Sequence, residues 1–346
     1  MLKNIKIENF KCFENEIIDL KPLTLITGTN SSGKSSLLQA ILLLGDHKDL
    51  EITNYLQTLG SFDDLKNKYI NPDAYYINAE FSDGQNASLT FCKKIEMFGK
   101  HDSYLSYPNN LTYLNANRQV FKEIQGVVPS TKEERKFGIS GEYITVYFDK
   151  FKDEPIEEKL ITKAAPSYTL EGQTNFWLNK ITNYSYELQT ESSGSSHVRT
   201  FYKNDEGLTF KPGNIGTGIS FLSTIIIACL SAKPNNIIII ENPEIHLHPQ
   251  SQSNLAGFFA FIASKGIQLI IETHNDHLLN RTRYEVFKEN IKSSDVIIHY
   301  KKYKEPFEKI NINNMGMFVD KNNENSFPKG FYDATLQEIF TINRGD

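Results

Sequence analysis

Cysteine is scarce: Cys12, Cys92 and Cys229 are the only three in 346 residues, they stand far apart, and they form no C-x-x-C pair. So sparse a set supplies neither a disulfide framework nor a zinc site and reads as isolated thiols of a reducing cytosol. Long hydrophobic runs are missing too. The richest stretches, 221–230 and 237–240, fall short of the about 20 residues that cross a bilayer. Met1-Leu2-Lys3-Asn4-Ile5-Lys6-Ile7 has no apolar core behind its lysines, which excludes a secretory signal. Positive charge is not in excess either. With 37 Lys and Arg against 42 Asp and Glu the net charge is -5, so any nucleic-acid contact must be a local patch or come through a partner. No internal repeat or heptad run supports a long coiled coil. A chain of this kind is expected to be soluble and cytoplasmic, without a membrane segment. Its 39% apolar and 23% charged composition is that of a globular protein, and its length suits about two domains or one large domain with an insertion.

What is present begins with Gly28-Thr29-Asn30-Ser31-Ser32-Gly33-Lys34-Ser35, a G-x-x-x-x-G-K-S sequence. The apolar run 23–27 precedes it and the helical-looking run 36–44 follows, which is the strand-loop-helix setting of a nucleotide phosphate loop. The glycines let backbone N–H groups turn inward around phosphates, and the helix N-terminus adds its positive dipole end. Lys34 is expected to reach the β/γ-phosphates and Ser35 to ligate Mg²⁺, with Gly28, Asn30, Ser31, Ser32, Gly33 and Ser36 completing the binding set. The ligand is expected to be a nucleoside triphosphate.

Around this motif the chain changes texture. Alternation at 5–10 and the run 17–20 predict a small antiparallel ribbon ahead of the loop. From 59 to 148 short alternating runs separated by Asp83-Gly84, Pro108-Asn109-Asn110 and Gly138-Ile139-Ser140-Gly141 predict mostly antiparallel sheet, including a strand at 142–148. A helix is expected around 175–181, and Glu191-Ser192-Ser193-Gly194-Ser195-Ser196 reads as a loop or mobile edge. Later, α/β patterning returns. A buried helix at 219–230, an unalternating strand at 236–240, a helix at 250–265 closed by Gly266 and a strand at 267–271 predict a parallel sheet with crossovers. The fold class expected is α/β, with residues 1–150 and 210–346 as two halves of one nucleotide-binding core and 151–209 as an insertion.

Two strand exits carry chemistry. Ile237-Ile238-Ile239-Ile240-Glu241-Asn242-Pro243-Glu244 puts carboxylates where an α/β sheet places its ligand site, and Mg²⁺ held mainly by triphosphate oxygens wants such a carboxylate. Ile271-Glu272-Thr273-His274 repeats the arrangement, so His274 is expected to point into the same crevice, toward a γ-phosphate or attacking water.

These segments resemble a family. The loop 28–35, Gly216-Thr217-Gly218-Ile219-Ser220, the run from Ile237 through Glu244 to Ile245-His246-Leu247-His248-Pro249, and Glu272-Thr273-His274-Asn275-Asp276-His277-Leu278-Leu279 look like ABC-type ATPases of the SMC/RecF/overcoming-lysogenization-defect superclass. Within it the chain is most similar to small prokaryotic AAA-family ATPases of anti-phage systems such as Septu. Weaker likeness extends to 113–118, 138–142 and 327–333 and is thinnest over 151–208. The resemblance implies a P-loop head with a mixed or parallel core sheet and an antiparallel β subdomain, binding ATP and Mg²⁺. Glu241 takes the metal-associated position, His274 is the switch histidine, and Lys11 sits near the nucleotide. Gly216, Gly218 and Ser220 form a signature reaching the ATP of a second subunit, hence a head-to-tail, ATP-dependent homodimer or a larger assembly built on it.

The residues also depart from that pattern. Asn242 stands where the catalytic glutamate is usual, and an amide does not accept a proton as a carboxylate does. Glu244 is then the base, or there is none, and turnover is expected to be slow. Phe221 replaces a common glutamine, and only Gln57 and Gln85 offer themselves for the Q-loop. His246 and His248, with His274 and His277, read as packing rather than metal ligands. Tyr300-Lys301-Lys302-Tyr303-Lys304 reads as a solvated hairpin before a nucleic-acid contact, and Arg118 as either an internal charge pair or a partner contact. No Toprim-like or H-N-H module is recognisable, so a separate effector such as a nuclease is expected, with nucleic acid reached through that complex. The expected role is an ATPase head regulating a partner in anti-phage defence or DNA processing. A nucleotide-gated clamp with little turnover is the alternative, and a transporter ATPase is disfavoured by the segment 241–249.

Overall fold

The computed structural model of the chain describes residues 1–47, 50–93, 98–101, 105–194 and 196–319. The N-terminal alternation forms β1 (Leu2–Phe10), which buries Leu2, Ile5, Ile7 and Phe10 and turns through Lys11 and Cys12 into β2 (Phe13–Asp19). Next come β3 (Leu23–Gly28), buried along its whole length, the phosphate loop, and α1 (Lys34–Leu44). β4 (Ala74–Phe81), β5 (Asn86–Cys92) and β6 (Phe98–His101) extend the ribbon into an antiparallel sheet of order β2-β1-β4-β5-β6. β7 (Leu111–Leu114) leaves this layer and joins the central sheet.

One expected strand is a helix. Residues 142–148 alternate, yet α2 (Ile144–Phe151) forms there and buries Ile144, Thr145, Val146, Tyr147, Phe148 and Phe151. Ile144, Tyr147, Phe148 and Phe151 recur at helical spacing, and the Tyr147 and Phe151 rings meet at 4.7 Å. Burial on most sides overrides the strand preference of β-branched and aromatic residues. The helix expected around 175–181 is α3 (Leu170–Thr182), N-capped by Thr169. Of the polar run expected as a loop or mobile edge, residues 191–193 lie in β8 (Tyr186–Ser193), which pairs with β9 (His197–Asn204) out to Ser193 and His197 because Leu188, Thr190, Val198, Thr200 and Tyr202 are buried.

The second half supplies α4 (Thr217–Leu230), β10 (Ile237–Glu241), α5 (Pro249–Ser264), β11 (Gln268–Glu272), α6 (Asp276–Phe287), β12 (Val296–Lys301), β13 (Phe307–Ile312) and β14 (Phe318–Val319). The central sheet has the order β14-β13-β12-β3-β11-β10-β7, parallel from β12 to β7 and antiparallel at β13 and β14. Alternation along the strands divides the core. Ile26, Ile237, Ile239 and Ile270 face α1 and the N-terminal sheet, together with Leu37, Leu38 and Ile41. Leu23, Leu25, Ile238, Ile240, Leu269 and Ile271 face the other way, with Ile225 of α4, Leu255 of α5 and Leu278 of α6. The middle segment shares that second core, where Trp177 of α3 lies 4.9 Å from Phe258 and 5.0 Å from Phe261 of α5. The segment 327–333 lies outside the described residues.

Candidate nucleotide-binding site

The loop is held in shape from both sides. Gly28 has φ 139°, and a Cβ there would stand 2.0 Å from the Lys301 carbonyl oxygen, which accepts the Thr29 N–H at 3.0 Å. Gly33 has φ 109°, and a Cβ there would meet Cys12 Sγ at 2.3 Å. Only glycine accepts both the dihedral and the contact. Gly33 is also the N-cap of α1 and offers no side-chain acceptor, so the first amides of that helix are open to an anion. Lys34 is buried and donates to the carbonyls of Gly28 at 3.3 Å and Thr29 at 2.7 Å. Burial lowers its pKa, and Glu272 acts in the opposite sense. Ser32 Oγ is buried without a partner, while Asn30, Ser31 and Ser35 are exposed and Ser36 is half-buried.

Lys11 sits on the β1–β2 turn against this region. Its Nζ donates to Gln39 Oε1 of α1 at 2.6 Å, and burial lowers its pKa.

Three glutamates converge at the strand exits. β3, β11 and β10 are parallel neighbours in which Ile26 pairs with Glu272 and Glu272 with Glu241. Residues in register share a face, so both carboxylates lie on the α1 side. Ser35 Oγ donates to Glu272, 3.2 Å from Oε1 and 3.1 Å from Oε2. The pKa of Glu272 is pushed up to about 7, first by burial and then by Glu241, with Lys34 opposing. Glu241, expected in the metal-associated position, accepts from Tyr113 Oη at 2.8 Å and from the Ala116 N–H at 3.2 Å. It stands one strand further from the loop than Glu272, since β11 lies between β10 and β3. Glu272 was missed as a site residue, although it closes its strand as Glu241 does.

Glu244 is buried, which raises its pKa. Its Oε1 accepts the His274 N–H at 3.1 Å and its Oε2 has no partner. His274 is exposed, and partial burial and the nearby Lys34 charge lower its pKa. Asn242 has φ 41°, its N–H donates to the Glu272 carbonyl at 2.7 Å, and its own carbonyl accepts from Arg118 at 2.5 Å. Arg118 also donates to the Asn115 and Glu241 carbonyls at 2.9 and 2.6 Å and lies 5.7 Å from the Phe221 ring. It is thus an internal latch on backbone carbonyls, with the Glu244 and Glu241 charges acting on its guanidinium.

The signature divides. Gly216 is exposed at the N-terminus of α4. A Cβ on buried Gly218 would stand 2.4 Å from the His246 carbonyl oxygen. Ser220, expected to reach a second subunit's ATP, is fully buried one turn into the helix, so its hydroxyl is not presented at the surface. His246 packs its ring 5.4 Å from Phe221, and His248 caps α5 by accepting the Gln250 N–H at 3.3 Å. Gln57 and Gln85 are both exposed and bond to none of the loop residues. Tyr300 and Lys301 are buried in β12, and Tyr303 is exposed in the turn beyond it.

Among the described residues, no group of three His, Cys, Asp or Glu side chains can hold a metal unaided. One hydroxyl with one or two carboxylates beside an anion cradle is nevertheless the donor set Mg²⁺ uses when triphosphate oxygens supply the rest. Ser35, Glu272 and the open α1 amides fit it.

Residues 1–206 match the AAA ATPase domain family, and residues 148–280 match a second AAA-domain family. The OLD nuclease of Thermus scotoductus is 24% identical over 376 aligned positions, which cover 95% of this chain and 70% of that protein. Among solved structures, an SMC head bound to the C-winged helix domain of ScpA superposes with a TM-score of 0.57 at 14% identity, over 90% of this chain and 97% of that one. An Smc head with an extended coiled coil, bound to the C-terminal domain of ScpA from Pyrococcus furiosus, gives 0.53 at 12% identity, over 99% and 98%. Both likenesses are of fold. No helix among the described residues is long and apolar enough to cross a membrane.

Proposed function

This chain belongs to the AAA ATPase domain family and is a P-loop enzyme that hydrolyses ATP, and on that premise we propose that it is an ATP-gated head that dimerises to regulate a partner. The observation carrying this reading is the division of anion donors. Lys34 and the open amides of α1 form one cradle, while a second uncapped helix end, α4 at Gly216, is exposed to solvent. Two copies arranged head to tail would bring the second set to the first. Gly28, Asn30, Ser31, Ser32, Gly33, Lys34, Ser35 and Ser36 bind the triphosphate in this reading, with Lys11 flanking them and His274 facing the γ-phosphate.

Ser35 with a strand-exit carboxylate would hold Mg²⁺, which would supply charge neutralisation at the phosphates. Glu244 is the base in this scheme. Its unpaired Oε2 can take a proton from water, and burial favours that protonated form. The partner is an effector such as a nuclease, in anti-phage defence or DNA processing. Support comes from the nuclease among the relatives and from the SMC heads solved with ScpA domains. A clamp with little turnover is the second reading, favoured by Asn242 with its backbone fixed by Arg118 and Glu272.

Mass photometry of the full chain with and without ATP tests dimerisation: wild type shifts to dimer and Lys34→Ala stays monomeric. A nucleotide-independent mass in wild type rejects gating. Steady-state hydrolysis separates the two readings. Loss of turnover in Glu244→Gln supports the hydrolytic head, whereas no change there with acceleration in Asn242→Glu supports the clamp.

A further inference from the structure

We propose that a cavity between α3 of the middle segment and helices α5 and α6 binds a small organic phosphomonoester, at a site separate from the phosphate loop. The cavity has a volume of about 450 Å³, within the range of small-ligand pockets, and shares no residue with the Gly28–Ser35 loop.

Three observations carry it. The first is a gathering of cations. Lys180 of α3, Lys265 just past α5 and Arg281 of α6 all line the cavity, so tertiary packing of three elements, not a local charge run, brings them together. Lys180 Nζ lies 4.6 Å from the Trp177 ring and Lys265 Nζ 5.3 Å from the Phe261 ring, and among the described residues neither lysine has a carboxylate partner. The second is how the one acid is spent. Glu285 is buried and accepts from Arg281 Nε at 2.5 Å and from Asn290 Nδ2 at 2.6 Å, one donor on each oxygen. The guanidinium is thereby held by its Nε, 4.9 Å from the Tyr284 ring, while its two terminal nitrogens make no hydrogen bond among the described residues and stand as an open fork. Three cations against one carboxylate leave two positive charges, and a phosphomonoester carries about −1.5 to −2 at pH 7. A carboxylate offers one charge and two oxygens, which answers only part of this set. The third is the wall. Trp177, Ile181 and Phe261 give the cavity an apolar side, and the Trp177 indole N–H is buried without a partner. The organic group of the ligand would cover that side, with its phosphate at the cations.

Trp177 is the chain's single tryptophan, so its emission reports on this cavity. The full-length protein is titrated with phenyl phosphate and with adenosine 5′-monophosphate, and in parallel with sulfate, hexaglutamate and a 5′-phosphorylated decathymidylate. Both small phosphates should give a saturable change in emission. Replacing both lysines, Lys180→Gln with Lys265→Gln, should weaken it about 10–100-fold, and Arg281→Lys, which keeps the charge but loses the fork, about 10-fold. Because Lys180 lies on the reporting ring, ³¹P line broadening of phenyl phosphate in the Lys34→Ala background gives a second measure of occupancy in the same variants. Lys34→Ala itself should leave the emission midpoint within about 2-fold of wild type, since the two sites share no residue. No saturable response, an equal response to sulfate or hexaglutamate, or midpoints unmoved in the lysine and arginine variants overturns the proposal. Loss of the response in Lys34→Ala assigns the signal to the phosphate loop and overturns it as well. A tighter response to the decathymidylate than to either small phosphate makes a strand end the ligand and overturns the small-molecule assignment.

Discussion

Lys34 holds the phosphate loop closed through two of its own carbonyls, so its ammonium is positioned before any ligand arrives. Truncation to alanine removes charge-assisted hydrogen bonds of about 1.5–3 kcal/mol, a 10–100-fold or greater loss of ATP affinity by calorimetry, with the fold retained by circular dichroism. At the catalytic position, Glu244→Gln should lower turnover about 10²–10⁴-fold if Glu244 is the base, read as phosphate release under saturating ATP. His299 offers a prediction remote from the site. Burial drives its pKa down to about 4, against an upward pull from the Asp19 carbonyl, which lies 2.7 Å from its Nε2. Its unfolded value is near 6.5, so the unfolded chain binds more protons between these limits. The stabilisation is full above pH 6.5 and is lost as pH falls toward 4, on the order of 2 kcal/mol at pH 5. Urea melts at pH 7.5 and 5 should show this loss in wild type and a smaller one in His299→Gln.

Among elements, the turns after β7 and β10 are locked together. Arg118 satisfies the carbonyls of Asn115, Glu241 and Asn242, and buried carbonyls left unpaired cost about 1–3 kcal/mol each. Arg118→Met should therefore lower stability by about 3 kcal/mol or more in denaturant titrations. Arg118→Lys should not restore it, because a point-like ammonium cannot span the same acceptors. Close approach of α4 to the segment after β10 makes a second lock. Gly218→Ala would press a methyl group on the His246 carbonyl, an overpacking cost of about 1–3 kcal/mol that thermal melts should register. Phe221 sits between these locks, near Arg118 and His246. The aromatic ring thus joins α4 to the segments after β7 and β10.

For the molecule as a whole, we propose the division into core halves 1–150 and 210–346 with 151–209 inserted between them. The insertion packs through Trp177 onto α5, in the same core as the carboxylate-bearing strands.

The one-dimensional order of residues was enough for the phosphate loop, because a strand, a glycine-bounded turn and a helix are local structures whose meaning lies within about 20 consecutive positions. It was enough too for the buried parallel strands, since 237–240 and 267–271 are apolar without alternation and so must be covered on both faces. Local pattern failed where packing reversed a propensity, as at 144–151. It could not tell which of Glu241 and Glu272 stands nearer the loop either, because their difference is which strand lies beside β3. Nor could it tell that Ser220 faces inward while Gly216 faces solvent. Spacing along a chain fixes which side chains share an element and a face. Only assembly of the sheet fixes which elements are neighbours, and the carboxylate beside Ser35 is a property of neighbours.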